Sequence, residues 1–187
     1  MKTTPRIIIP FAAVVLSFFI FPHISSAQEF DPIPLGGSLD LYVGSWKYEN
    51  TETGEVFIVK LKKFDNYTAI NVNFGTVLIG EYSYKKNGIT IYDNIDSVSG
   101  IATNNQAVRT SVKCSSANQN FAKLRLSVID REYQKIANGT LQFSLEHNNS
   151  YSLKWKIAES EGDFDVGPDY KEGLSIPSDI VLIKVEE

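Results

Sequence analysis

His147 is the natural first candidate for proton transfer, because imidazole is the side chain that titrates near neutral pH. The other of the two histidines, His23, falls in the N-terminal leader described below. His147 stands in His147-Asn148-Asn149-Ser150, residue types that favour a turn, and it reads as a solvated turn residue rather than a general base. Cys114 is the one cysteine, so it forms no internal disulfide, and its sequence context reads as a small buried hydrophobe. One histidine with one cysteine falls short of the ligand count of a zinc site. No Gly-X-Ser-X-Gly elbow occurs, and no cofactor or metal is expected. Carboxylates remain. Glu159, Glu161, Asp163 and Asp165 alternate along the chain, with Asp93 and Asp96 a weaker group. Alternate acids resemble calcium loops, but the EF-hand spacing is missing and such runs are usually solvated. A carboxylate pair for hydrolysis stays open, since the separation of its members is a property of the fold.

Aromatic residues carry the strongest binding signal. Trp46, Tyr48, Tyr82, Tyr84, Tyr151 and Trp155 fall on alternate positions of apolar-polar runs, so each is expected on the inward face of a strand. Two readings follow. They line a pocket for a small hydrophobic ligand, with Trp46 and Trp155 as floor or wall, or they fill the core of a barrel that has little room to spare.

Strands must position them. Leu41 to Asn50 has a period of two, with Tyr42, Gly44, Trp46 and Tyr48 on one face. Expected strands follow over Glu55–Lys63, Tyr67–Phe74, Thr76–Lys85 and Ile89–Asp93. The first three are separated by turns at Asp65-Asn66 and Gly75, and Asn87-Gly88 is the strongest hairpin signal. Asn94 to Gln106 reads as a long polar loop. Further strands are expected over Val108–Cys114, Phe121–Ile129, Thr140–Glu146, Tyr151–Ala158 and Ile180–Val185, with Asn138-Gly139 as punctuation. No run of apolar residues has helical spacing. The fold class is therefore all-β, an antiparallel up-and-down meander barrel, with a β-sandwich as the alternative.

The sequence has 187 residues, and the first 27 read as a signal peptide. Lys2 and Arg6 precede an apolar run from Ile7 to Phe21, and Ser25-Ser26-Ala27 supplies the small residues of a cleavage site. Residues 28–40 then form a Pro- and Gly-rich extended lead-in, and 41–187 one barrel domain. Of 18 Lys and Arg, two lie in the leader, leaving 16 against 22 Asp and Glu, a net of −6. That balance argues against nucleic acid or an anionic membrane as partner. The expected product is a monomer, secreted or periplasmic.

Tyr42-Val43-Gly44-Ser45-Trp46 followed by a meander resembles the first strand of lipocalins and fatty-acid-binding proteins, where Gly-X-Trp opens an up-and-down barrel. The resemblance implies that Lys184, on the last strand, covers the indole of Trp46. With Lys47-Tyr48-Glu49-Asn50, Asn87-Gly88, Leu153-Lys154-Trp155 and the closing Ile176 to Leu182, the chain also looks like a family of small secreted Bacteroidetes proteins of unknown function. Scarce catalytic side chains and plentiful inward aromatics together point to a non-enzymatic binding or envelope-associated module. The alternatives are a carboxylate-dependent hydrolase and a protein-interaction domain without a small ligand.

Overall fold

The computed structural model describes residues 38–117, 120–145, 150–160 and 170–185, all within one compact unit. The leader, His147, Glu161, Asp163 and Asp165 lie outside the described residues. Nine strands make one antiparallel sheet: β1 (Gly44–Asn50), β2 (Glu55–Ala69), β3 (Val72–Lys86), β4 (Ile89–Asp93), β5 (Val112–Ala117), β6 (Asn120–Asp130), β7 (Lys135–Leu145), β8 (Tyr151–Glu159) and β9 (Asp179–Val185). β2 pairs with both β1 and β3, and β9 pairs with β1, so eight strands close into a barrel and β4 is left as an extra strand on β3. This is a lipocalin-like meander barrel. Closure leaves no free edge along most of the wall.

The Gly44-Ser45-Trp46 corner works as its resemblance implies. A 3-10 turn, Leu39–Tyr42, leads into β1, and the Trp46 indole N–H donates to the Tyr42 carbonyl at 2.8 Å. Gly44 has φ +119°, and a Cβ there would press on the Lys184 side chain at 3.4 Å. The Lys184 ammonium lies 5.3 Å from the Trp46 ring centre, a cation–π contact that caps the indole.

Alternation fills the interior as expected. Trp46, Phe57, Val59, Leu61, Leu78, Tyr82, Val112, Leu124, Leu141, Leu153, Trp155 and Leu182 are all fully buried, in a barrel whose strand number leaves an interior just wide enough for side chains. The Asn87-Gly88 turn forms as expected, with φ of 51° and 78°.

Several boundaries differ from the sequence expectation. The strand expected from Leu41 begins only at Gly44, after the 3-10 turn Leu39–Tyr42. Asp65-Asn66 and Gly75 are not turns. β2 and β3 run through them as one long hairpin, with Asn66 (φ 55°) and Gly75 (φ 70°) taking up a register shift around Tyr67. The real turn is Ile70-Asn71, at φ 50° and 60°, so Ile70, Val72 and Phe74 project into solvent instead of inward. Asn138-Gly139 likewise lies inside β7, and the turn before it is 131–134. Finally, Asn94 to Gln106 is structured. A 3-10 helix (Ile95–Gly100) and a one-turn helix α1 (Asn104–Val108), capped reciprocally by Thr103 and Gln106, cover the outer face of β2 and β3. There Tyr67, Val77, Ile79, Ile101 and Ala107 make a second small core. Lys62 holds the cover through the Ile101 carbonyl (2.8 Å), and Asn104 exchanges two bonds with the Thr68 backbone (2.6 and 2.8 Å). Val108 therefore ends a helix, and β5 begins only at Val112.

Candidate functional site

The aromatics singled out from the sequence share the interior face, but they meet one another more than they meet space. Phe57 is the hub, with ring centres 5.3 Å from Trp155, 5.5 Å from Tyr82 and 6.3 Å from Tyr84. Trp46 packs edge-on against Phe143 at 6.4 Å. The polar atoms are bonded too: Trp155 Nε1 donates to the Pro177 carbonyl (3.1 Å), Tyr82 Oη to the Ile129 carbonyl (3.3 Å), and Tyr84 Oη to Glu55 (2.8 Å). Desolvation pushes the phenols of Tyr42, Tyr82 and Tyr84 above their ordinary range. Tyr48 is partly buried at the edge of this cluster, while Tyr151 sits at the barrel mouth, 43 % exposed, against Phe143 and Lys184. Cys114 is buried, and burial raises its thiol pKa to about 12, which makes it a poor nucleophile. Among the described residues, no cluster of His, Cys, Asp and Glu could hold a metal ion.

A solvent-open depression of about 640 Å³ lies elsewhere, on the barrel wall. It is lined by Glu81, Tyr92, Asn94, Arg109, Ile129, Arg131 and Glu132. Its origin is topological. The edge of β3 that faces away from β2 pairs with β5 from Leu78 to Gly80 and with β4 from Ser83 to Lys86. Glu81 and Tyr82 stand where the partner changes, so neither strand completes the ladder there. Local substitutes fill in: Asn94 N–H donates to the Tyr82 carbonyl (3.3 Å), and Ser111 N–H, just before β5, donates to Glu81 Oε1 (3.0 Å).

Glu81 is 3 % exposed, and its Oε2 has no hydrogen-bond partner among the described residues. An oxygen shut from water without a donor costs about 1–3 kcal/mol, and more when it carries charge. No ion pair offsets this among the described residues. Arg131 is near in the network but is committed to Ser111 Oγ through Nε (2.9 Å) and to the Arg109 carbonyl through Nη2 (2.6 Å). Lys113 donates to the Thr110 carbonyl at 2.8 Å. Desolvation, helped by Arg131 and opposed by Glu81, draws the Lys113 pKa below its ordinary value.

Two other cavities lie elsewhere on the barrel. One of 520 Å³ is crossed by Lys135, which pairs with Glu159 at 2.9 Å and lies 4.0 Å from the Tyr170 ring centre. One of 450 Å³ lies between the overhanging part of the β2–β3 hairpin and β5 to β7. Asp93 and Asp96 are exposed, and Glu159 belongs to β8.

Sequence reasoning passed over Glu81 because Gly80-Glu81-Tyr82-Ser83-Tyr84 alternates like any strand with a wet outer face. Only the cover supplied by Asn94 to Thr110 turns that face into an interior. No helix among the described residues is long and apolar enough to cross a membrane. Nothing among curated proteins, and nothing among solved structures, matches the chain. One family model does match, over residues 1–185, and the chain belongs to that family, DUF6705, a family of unknown function.

Proposed function

We propose that this chain is a non-enzymatic binding module, exported to a secreted or periplasmic location after cleavage following Ala27, and that its ligand occupies the wall cavity at Glu81. The observation that carries the reading is the buried Glu81 carboxylate with one oxygen unpartnered beside a solvent-open depression in the barrel wall. Mutual packing of the interior aromatics supports this site over an apolar one at Trp46 and Trp155. A binding role also accords with the poverty of the chain in nucleophiles and bases, and with Cys114 being inert.

The test is a titration followed by backbone amide shifts. A pool of small water-soluble metabolites should move Glu81, Ser111 and Arg131, while fatty acids, retinoids and haem leave the Trp46 and Trp155 indole N–H signals in place. Indole shifts with apolar compounds alone would move the site to the interior. Turnover of glycoside or ester substrates that is lost in Glu81→Gln would replace the binding module by a hydrolase. Intact mass of the exported protein checks processing, since a mass that starts at Met1 contradicts cleavage.

A further inference from the structure

The charge pattern of the wall cavity narrows its ligand, granted that the cavity is the binding site. Two carboxylates, Glu81 and Glu132, and two guanidinium groups, Arg109 and Arg131, line one space together with the Tyr92 ring and Ile129. The groups are not equivalent. Glu132 is exposed and bonded to Lys171 at 3.3 Å. Glu81 is buried and holds only the Ser111 N–H. On the cationic side, Arg131 uses Nε and Nη2, and the Arg109 guanidinium is exposed to water and makes no bond among the described residues. One buried carboxylate oxygen therefore lacks a donor, and a solvated guanidinium, that of Arg109, stands nearby without a protein acceptor among the described residues. They have not paired with each other within ion-pair distance.

We infer that the cavity takes a small zwitterion of the amino-acid or short-peptide class, its ammonium on Glu81 and its carboxylate on Arg109 and Arg131. An ammonium supplies the charged donor that a buried carboxylate needs, and a guanidinium fork is the natural partner of the opposite carboxylate. Tyr92 and Ile129 give the side chain an apolar wall. Binding requires Glu81 to turn toward the depression, which gives up its bond from Ser111. A sugar hydroxyl would give the buried Glu81 oxygen a neutral donor and would offer the guanidinium groups no carboxylate, so the site favours the zwitterion.

Calorimetric titration of the purified protein with L-alanine, L-alanyl-L-alanine, cadaverine, glutarate and glucose tests this. At least one of the two zwitterions should bind saturably, with cadaverine and glutarate at least ten-fold weaker and glucose without heat. Glu81→Gln and Arg109→Gln should each weaken zwitterion binding at least ten-fold. Glu81→Gln should also keep or raise the urea midpoint of the empty protein, because it removes the buried carboxylate oxygen that has no donor while keeping an acceptor for Ser111. That combination separates a ligand group from a structural one, whose loss would lower the midpoint. Zwitterion affinity unchanged in Glu81→Gln overturns the inference. Glucose binding that depends on Glu81 overturns the zwitterion class and leaves the cavity as the binding site. Failure of every probe, with no amide shift at Ser111 from the metabolite pool, removes both.

Discussion

Trp155 shows how one side chain joins packing to the question of function. It is fully buried, touches Phe57, and donates its indole N–H to Pro177, the residue that leads the chain into β9. Trp155→Ala leaves a cavity and an unmatched carbonyl, and should cost about 3–5 kcal/mol in urea unfolding. Loss of affinity for an apolar ligand without loss of stability would instead mark Trp155 as a pocket wall. Glu55 makes a residue-scale prediction about acid. Its carboxylate accepts from the Tyr84 hydroxyl, from Thr53 at 2.9 Å and from Lys86 at 3.1 Å, and these hold its pKa below the ordinary 4.5 against the opposing effect of desolvation. A carboxyl lowered in the folded state stabilises the fold above pH 4.5, and that contribution disappears as the pH falls through the folded value. Melting curves of wild type and Glu55→Gln should therefore differ at pH 7 and converge in acid. A constant offset at every pH would assign the effect to packing.

At the scale of the element, residues that look like turns do two jobs, and the sequence does not say which. Asn87-Gly88 is a turn because alternation resumes on both sides at once. Asn138-Gly139 has the same chemistry but sits in mid-strand, where the Lys156 backbone of β8 comes so close that a Cβ on Gly139 would lie 1.9 Å from its carbonyl oxygen. The glycine is there for close approach, not for a positive φ. Gly139→Ala should cost about 3 kcal/mol or more, because the obstacle is backbone and cannot rotate away. Soluble yield and the urea midpoint measure it, and a change under about 1 kcal/mol would mean that the two strands move apart freely. The β2–β3 tip is the converse case. Ile70 takes φ 50° while 96 % exposed, so a β-branched residue holds a left-handed conformation with no burial in return. Ile70→Asn should stabilise by about 1 kcal/mol, since Asn tolerates that conformation and no packing is lost. Destabilisation would reveal a contact made by the Ile70 side chain.

Over the whole molecule, period-two alternation makes the class, the barrel and the inward aromatics legible, because each follows from local chemistry repeated along the chain. The wall cavity is not legible that way. It depends on β3 exchanging one partner for another and on a polar segment folding back as a cover, both products of long-range pairing. The same topology sets where the barrel is weakest. β7 and β8 pair without interruption from Ala137 to Leu145, whereas β3 meets β5 only from Leu78 to Gly80, and β1 meets β9 only from Ser45 to Lys47. A short seam can open while the rest of the sheet stays paired, because few hydrogen bonds and few buried side chains must be exposed at once. Amide hydrogen exchange should resolve this. Protection of β7 and β8 amides, such as Leu141 and Trp155, should report global unfolding and shift fully with urea. Amides in the two seams, such as Gly80 and Lys47, should exchange at least ten-fold faster and with weaker urea dependence. An occupant of the Glu81 cavity would contact β3, β4 and the end of β6 together, so it should slow exchange at the β3–β5 seam and leave the β1–β9 seam unchanged. Equal slowing of both seams would show that a ligand stabilises the barrel as a whole instead of bridging the place where β3 changes partner.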